Sequence, residues 1–228
     1  MGTRRSFRQN YTEMGYLMRY STDGIRSKAA KSQVLQFRIV LLDSDPLIWR
    51  RIHVPVYYNF WDLHVAIQDA MGWEDYHLHH FSFSKKGSKK TVHIGIPDFD
   101  GPDDDIEVFP GWEIHVDEYF TELGVKAIYT YDYGDSWKHE VILEGHLLRE
   151  EGVSYPRCVA GEMACPPEDC GGISGYQEFM KVAKEGKKVK IASLFDEKSI
   201  IWDPYAFDPG KRRFDHPYKR WRNAFLDR

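Results

Sequence analysis

Apolar residues recur at every second position from Leu35 to Leu41. A period of two predicts a half-buried β-strand that starts near Val34. The residues Asp43–Pro46 that follow are typical of a turn. A second strand is predicted over Ile48–Val54, because its apolar residues stop at a proline. The chain therefore begins its regular structure with a β-hairpin.

The spacing of apolar residues changes after the hairpin and becomes helical. One face of the predicted helix would carry Leu63, Ala66, Ile67, Ala70 and Met71. Asn59 is a good capping residue, Asp62 suits the first turn of a helix, and Gly72 suits its end. We therefore predict a well-capped helix over Trp61–Met71.

Shorter stretches predict the remaining elements. Strands are expected at Leu78–Ser84, Thr91–Ile96, Ala127–Tyr133 and Trp137–Leu147, and helices at Val116–Leu123 and Tyr176–Glu185. A hairpin followed by a helix and more strands predicts an α+β fold. We expect one domain with a mostly antiparallel or mixed sheet and helices packed on one face. The order of elements also suggests a β-grasp-like arrangement by analogy.

Composition fits a single domain that extends from residue 34 to residue 225. Of the 228 residues, 42% are hydrophobic and 15% aromatic, enough for a sizeable core. No apolar run approaches about 18 residues, so no membrane span is expected. The three cysteines are an odd number in a chain too large to need stabilisation by disulfides, which predicts a reducing, cytoplasmic setting. Residues 1–31 lack periodicity and are predicted to be a loosely ordered extension.

Charge is distributed unevenly along the chain. Residues 1–31 and residues 211–228 each carry seven Lys or Arg and two Asp or Glu. The segment between them carries 17 basic and 31 acidic residues. The basic ends suggest either contact with nucleic acid or solvated tails that touch the acidic body. We favour the second interpretation, because neither end contains a dense basic run.

All three cysteines lie in the segment Arg157–Gly172, which its prolines and glycines predict to be irregular. Zinc is one interpretation, with Cys158, Cys165 and Cys170 as ligands, His139 as a tentative fourth and Asp169 as a weaker candidate for that position. The intervals of six and four residues differ from the two-residue spacing of a zinc knuckle. A buried turn with inert thiols and a reactive thiol are the alternatives.

A histidine cluster at Tyr76–Phe81 offers a second set of candidate ligands. On a strand, His77 and His79 would face the same way and could share a metal. The alternative is a half-buried aromatic sheet face. A small metal- or thiol-dependent enzyme that uses these histidines and the cysteines is the corresponding functional hypothesis.

Two further segments are expected to be structural. In Tyr131–His139 an Asp, a Ser and a His lie close in sequence, but a tight hairpin with positive φ at Gly134 explains them without a catalytic triad. Asp98–Asp105 contains five acids but lacks the ligand order of an EF-hand. We expect a solvated acidic loop there.

Four sequence motifs together carry a family resemblance. They read DSDPLIWRRIHVP, FWDLHVAIQDAMGWEDYHLHHF, YTYDYGDSWKHEVILE and YPRCVAGEMACPPEDCGGISGY. The chain resembles the plasmid-borne open-reading-frame-three-like family, first named from a root-inducing plasmid, from about Val34 to Phe225. Many members are labelled transposon-passenger or TnpR-like proteins. The resemblance implies an α+β domain without established catalytic residues.

The TnpR-like label implies a resolvase, which the sequence argues against. Ser6 lacks the strand-and-loop setting of a resolvase nucleophile, and the last 18 residues are too short for a helix-turn-helix. The acidic body would also repel phosphates. We therefore expect a cytoplasmic binding or accessory module, with no known partner, rather than an enzyme. Its link to mobile elements rests on the family label alone.

Overall fold

The computed structural model describes residues 32–84, 90–97, 107–187, 189–192 and 199–226. Within them an eight-stranded sheet has the strand order β5-β4-β3-β6-β7-β1-β2-β8. All neighbouring strands are antiparallel except β4 and β5. The strands are β1 (Gln33–Leu41), β2 (Trp49–Pro55), β3 (His79–Ser84), β4 (Thr91–Gly95), β5 (Val108–Pro110), β6 (Lys126–Tyr131), β7 (Trp137–Leu148) and β8 (Arg157–Glu162).

Smaller elements complete the described chain. Strands β9 (Val189–Ala192) and β10 (Ser199–Trp202) form a separate antiparallel pair. Three α-helices are described, α1 (Phe60–Met71), α2 (Gly172–Lys184) and α3 (Pro217–Phe225). Short 3₁₀ turns occur at Gly111–Glu113, Val116–Glu118 and Pro209–Lys211. The expected α+β class with a mixed sheet is confirmed. The β-grasp analogy remains a prediction.

The cysteine segment was wrongly predicted to be wholly irregular. Its first half, Arg157–Glu162, is strand β8 and pairs with β2 along the edge of the sheet. The breaking effect of Pro166 and Pro167 is confined to the second half, which forms a loop before α2. We call this segment, Met163–Gly171, the proline loop. The helix predicted at Val116–Leu123 is also wrong, because only a 3₁₀ turn forms there.

Two other predictions lie outside the described residues. These are the loosely ordered extension over residues 1–31 and the acidic loop Asp98–Asp105. In the part of the chain that is described, no helix combines the length and the apolar character that a membrane span needs.

Helix α1 begins at a complete capping box. The Asn59 side chain accepts a hydrogen bond from the backbone N–H of Asp62 at 2.8 Å, and the Asp62 carboxylate accepts one from the Asn59 N–H at 3.3 Å. The helix ends at Gly72, whose φ of 93° allows the left-handed cap. Both ends were predicted from sequence because they use local chemistry.

Apolar cores lie on two opposite sides of α1. Toward the sheet, Leu63 and Ile67 belong to the main core with Phe37 and Tyr129. On the other side, a second cluster consists of Trp61, Val65, Trp112 and Trp221. Trp221 belongs to α3, and the indole of Trp61 donates a hydrogen bond to the carbonyl of Pro217 at 3.1 Å. Helix α1 is therefore a central layer between the sheet and α3.

A buried arginine ties α1 to the edge of the sheet. The Arg50 guanidinium is fully buried and lies 3.8 Å from the centre of the Phe207 ring. Its donors bind carbonyl oxygens, including Ala70 in the last turn of α1 at 3.0 Å and Glu162 at 2.9 Å. Burial lowers the pKa of Arg50 to about 10. The negative end of the helix dipole compensates part of this desolvation.

Three fully buried histidines lie in the main core between α1 and the sheet. They are His64, His79 and His139. The rings of His64 and His79 stack in parallel with centroids 3.4 Å apart. Burial lowers the pKa of all three, that of His139 to about 3. They are therefore neutral at pH 7.

Replacement of Asn59 by alanine should destabilise the protein by about 1–2 kcal/mol, because the first-turn donors of a buried helix lose their acceptor. Urea unfolding followed by circular dichroism measures the change. Asn59→Ser keeps an acceptor oxygen and should recover much of the loss. Equal losses for the two variants would contradict the capping role.

Stability should fall as the pH drops below about 6.5, the pKa of an unfolded histidine. The buried imidazoles bind fewer protons in the folded than in the unfolded protein. As the pH falls, each one therefore lowers the free energy of unfolding by up to about 1.4 kcal/mol per pH unit, until its folded pKa is reached. Asp75 opposes this trend, because burial raises its pKa to about 6 and it takes up a proton in the folded state first. Between pH 6 and 4, the stability gained by protonation of Asp75 offsets the stability lost through about one of the three histidines.

His79→Phe isolates one part of this pH dependence. Neither ring nitrogen of His79 makes a hydrogen bond with another described group. A ring without polar atoms should keep stability at pH 7.5 and reduce the loss between pH 6.5 and 5 by about 1.4 kcal/mol per pH unit. Urea midpoints at several pH values measure this change. An unaltered pH slope would contradict the assignment of His79 as a buried neutral histidine.

Candidate metal centre

Three segments meet at one end of the sheet. They are the loop between α1 and β3, the turn between β6 and β7, and the proline loop between β8 and α2. Each segment lies in a different sequence motif, and each contributes one candidate ligand. The ligands are His77, Asp132 and Asp169.

The three ligand atoms lie within 4.8 Å of one another. Nε2 of His77 is 3.1 Å from an Asp169 oxygen and 3.6 Å from an Asp132 oxygen. Ligands that share a metal at about 2.0–2.2 Å lie about 3.0–3.5 Å apart, so this spacing fits a common cation. Nε2 is also buried, and it makes no hydrogen bond of normal geometry with any described group.

Both aspartates have left-handed backbones. The φ angle is 56° at Asp132 and 53° at Asp169. Aspartate tolerates this region better than most residues, although the conformation remains costly. The predicted positive φ at Gly134 is wrong: in this turn Asp132 and Ser136 have positive φ instead. The left-handed position in this turn is therefore occupied by Asp132, whose carboxylate faces His77, instead of by a glycine, which has no ligand atom.

Hydrogen bonds fasten the proline loop to its two neighbours. The Trp73 indole donates to the Pro166 carbonyl at 2.8 Å. The Glu168 carboxylate accepts from the Glu74 backbone N–H at 2.6 Å and from the Tyr131 hydroxyl. Because Glu168 adjoins Asp169, these contacts fix the position of the Asp169 ligand. Burial raises the pKa of Glu168.

A glycine permits close contact between the proline loop and the β6–β7 turn. Gly172 has a φ of 66°, and a Cβ there would lie 2.5 Å from the Asp135 carbonyl oxygen. The neighbouring Gly171 N–H donates to the Asp135 carboxylate at 3.2 Å. The absence of a side chain at Gly172 therefore lets the two segments meet.

The structure does not bring the predicted zinc ligands together as a group of three. All four residues are described, yet no three of them have ligand atoms that all lie within 4.8 Å of one another. His139 lies on β7, buried beside Trp73 and Tyr129. Burial raises the pKa of the thiols, to about 12 for Cys165 and Cys170. Zinc binding by Cys158, Cys165, Cys170 and His139 remains a prediction.

His77 and His79 have separate environments. His77 precedes β3 and faces Asp132 and Asp169 at the surface, whereas His79 is fully buried against His64. The expectation that both extend from one strand is wrong, because the backbone bends before His79. The sequence pointed to His77, but to Asp169 only as a weaker fourth ligand for the cysteines. It gave Asp132 no metal role, because that residue lies in the segment predicted to be a tight hairpin.

A hollow of about 320 Å³ is lined in part by the β6–β7 turn. Its lining includes Asp135, Lys138 and Gly172 but none of the three candidate ligands. The candidate ligands lie instead where the core meets the surface: the side chains of His77 and Asp169 are 29% and 37% exposed, and that of Asp132 is 10% exposed.

The family comparison covers this whole site. Residues 33–211 match the model of the plasmid pRiA4b ORF-3-like protein family. The chain belongs to this family. The ORF-3-like match includes all three candidate ligands and ends before α3.

Two similar proteins extend the comparison. The uncharacterised protein y4hQ of Sinorhizobium fredii is 32% identical over 149 residues, which cover 65% of this chain and 72% of y4hQ. The crystal structure of a protein of unknown function, MM3350 from Methanosarcina mazei Go1, is 39% identical with a TM-score of 0.65. That match covers 80% of this chain and 97% of MM3350. The fold is therefore shared with MM3350, a protein whose function is unknown.

Gly172→Ala should separate the proline loop from the β6–β7 turn. The added Cβ meets a backbone oxygen and also incurs the strain of a positive φ, for a combined loss of about 2–4 kcal/mol. Gly186→Ala is the matched control, since Gly186 has a φ of 73° and no atom within 4 Å of an added Cβ. Urea unfolding of both variants measures the difference. Equal destabilisation would contradict the importance of the close contact.

Proposed function

We propose that the protein binds a divalent transition-metal ion at His77, Asp132 and Asp169, and that the ion remains open to a further ligand. The ligand geometry supports this proposal. Among the described residues, this is the one group of three or more His, Cys, Asp or Glu whose ligand atoms all lie within 4.8 Å.

The donor set favours a particular class of metals. One imidazole and two carboxylates suit zinc, manganese or iron(II) better than calcium, which prefers an all-oxygen shell. Three protein ligands leave at least one coordination position for water or another ligand. Such a metal acidifies a bound water and polarises a carbonyl or phosphoryl oxygen. The proposed module therefore has the chemical means for hydrolysis, although metal binding alone would fulfil the proposal.

Nucleic-acid binding receives less support from the described C-terminal residues. Arg220 forms 2.7 Å ion pairs with Asp69 and Asp215 instead of presenting its charge to a partner. The segment between residues 32 and 210, with 17 basic and 31 acidic residues, would also repel a phosphate backbone. The proposed metal function requires no link to mobile elements.

A cobalt(II) titration should distinguish the proposed centre from the cysteine site. We expect about one ion per chain in metal-free wild-type protein, with visible absorption typical of oxygen and nitrogen ligands. His77→Gln, Asp132→Asn and Asp169→Asn should each weaken binding more than about 100-fold, since loss of outer-shell contacts alone costs about 10–100-fold. The asparagine variants retain a side chain that tolerates the left-handed backbone.

His80→Gln is the matched control, because the His80 ring bonds to Tyr133 instead of the cluster. Its affinity should stay within about twofold of wild type. An intense near-ultraviolet thiolate-to-cobalt band that Cys165→Ser abolishes would support the cysteine site instead. Absence of stoichiometric binding would contradict the proposal.

A further inference from the structure

The loop that carries His77 has an anchor two residues earlier. The Asp75 side chain is only 6% exposed, and its backbone is left-handed with a φ of 66°. One carboxylate oxygen lies 2.8 Å from Nε2 of His64, and the other lies 3.7 Å from a guanidinium nitrogen of Arg220. Asp75 therefore connects this loop to both α1 and α3.

A buried chain of hydrogen bonds determines the orientation of His64. Gln68 donates to the Tyr129 hydroxyl at 2.8 Å, which leaves that hydroxyl to donate to Nδ1 of His64 at 2.8 Å. Nε2 of the neutral ring then donates to Asp75. The stacked ring of His79 limits movement of His64 from one side. The α1 end of the anchor is thus rigid.

Arg220 of α3 faces the other oxygen of the Asp75 carboxylate. Its side chain is 17% exposed and bridges Asp69 of α1 and Asp215 before α3, each at 2.7 Å, while also facing Asp75. The adjacent Trp221 is fully buried. The loop after Asp75 is held by two more hydrogen bonds, from the Tyr76 N–H to the Tyr131 hydroxyl and from the Asp132 N–H to the Leu78 carbonyl, both at 3.0 Å. His77 therefore lies between fixed points.

We infer that Asp75 and Arg220 are positioning residues for His77, and that they couple the C-terminal helix α3 to the metal centre. This inference rests on the proposed function. Without Arg220, the buried Asp75 carboxylate would face His64 without the compensating positive charge. Its desolvation would then favour movement of the loop toward water, and His77 would move with it.

The physical coupling passes through one continuous set of contacts from α3 to the metal ligand. It also places control of the centre in a helix that lies beyond the family match, which ends at residue 211. A ligand or modification that displaces α3 would therefore weaken metal binding. By the reciprocity of coupled sites, bound metal would oppose the displacement of α3 by the same free energy.

The test compares Arg220→Met, Arg220→Lys and Asp215→Asn in the full chain. Arg220→Met should weaken cobalt(II) or zinc binding about 10–100-fold, the usual cost of losing an outer-shell contact. Arg220→Lys should restore much of the affinity. Asp215→Asn removes an exposed partner of Arg220 but leaves the Asp75 contact, so its affinity should stay within about twofold of wild type.

A double-mutant cycle separates positioning from general damage to the fold. In an Asp75→Asn background, Arg220→Met should have little further effect on metal affinity. An undiminished effect in that background would show that Arg220 acts through Asp69 or through helix docking, and would overturn the inference. A folded Arg220→Met protein with wild-type affinity would overturn it as well.

Hydrogen exchange of the metal-free protein gives an independent readout. Arg220→Met should reduce protection of the Tyr76 and Asp132 amides, whereas Asp215→Asn should not. If wild-type protein bound no metal, the proposed function would fail, but this exchange result would still decide whether Arg220 positions the His77 loop. Unchanged protection of both amides in Arg220→Met would contradict the positioning role.

Discussion

Burial of α1 on two opposite sides is the constraint from which the other features follow. Leu63 and Ile67 pack against the sheet, while Trp61 and Val65 pack against Trp112 and the α3 residue Trp221. A helix in this position has little contact with water, so its polar groups need partners within the protein. The capping box at Asn59 and the bond from Arg50 to the Ala70 carbonyl supply partners near its two ends.

The same constraint produces the surface site. His64 is buried on α1, and its bond to Asp75 fixes the loop that follows the helix. This loop then presents His77 to the two aspartates at the end of the sheet. The packing of the core therefore affects the candidate metal site, because His64 in the core contacts Asp75 and Asp75 lies in the same loop as His77. Precise support behind a ligand is the usual requirement for a metal centre, because a small displacement weakens coordination.

Local chemistry made part of this fold predictable from sequence. Alternation identified β1 and β2, and helical spacing with capping residues identified α1. The cysteine segment Arg157–Gly172 was less predictable. Pro166 and Pro167 suggested that all of it is irregular, but its first half, Arg157–Glu162, forms a strand because it pairs with β2. Strand pairing depends on partners about 100 residues away, which local propensity does not contain.

The candidate site was less predictable for the same reason. The sequence drew attention to His77, but it suggested Asp169 only as a weaker ligand for the cysteine site and gave Asp132 no metal role. Both aspartates have left-handed backbones, and the fold brings their carboxylates together beside His77. The cysteines were more conspicuous because all three lie in one segment, yet sequence proximity alone does not align ligand atoms. The helix α3 contribution was missed because Arg220 acts over a separation of 145 residues from Asp75.

Anomalous diffraction from crystals soaked with zinc or manganese tests the central claim most directly. We expect one strong peak about 2.0–2.2 Å from Nε2 of His77 and from an oxygen of each aspartate, Asp132 and Asp169. A peak beside Cys165 and Cys170, or no ordered metal at the three ligands under conditions that saturate the protein in solution, would contradict it.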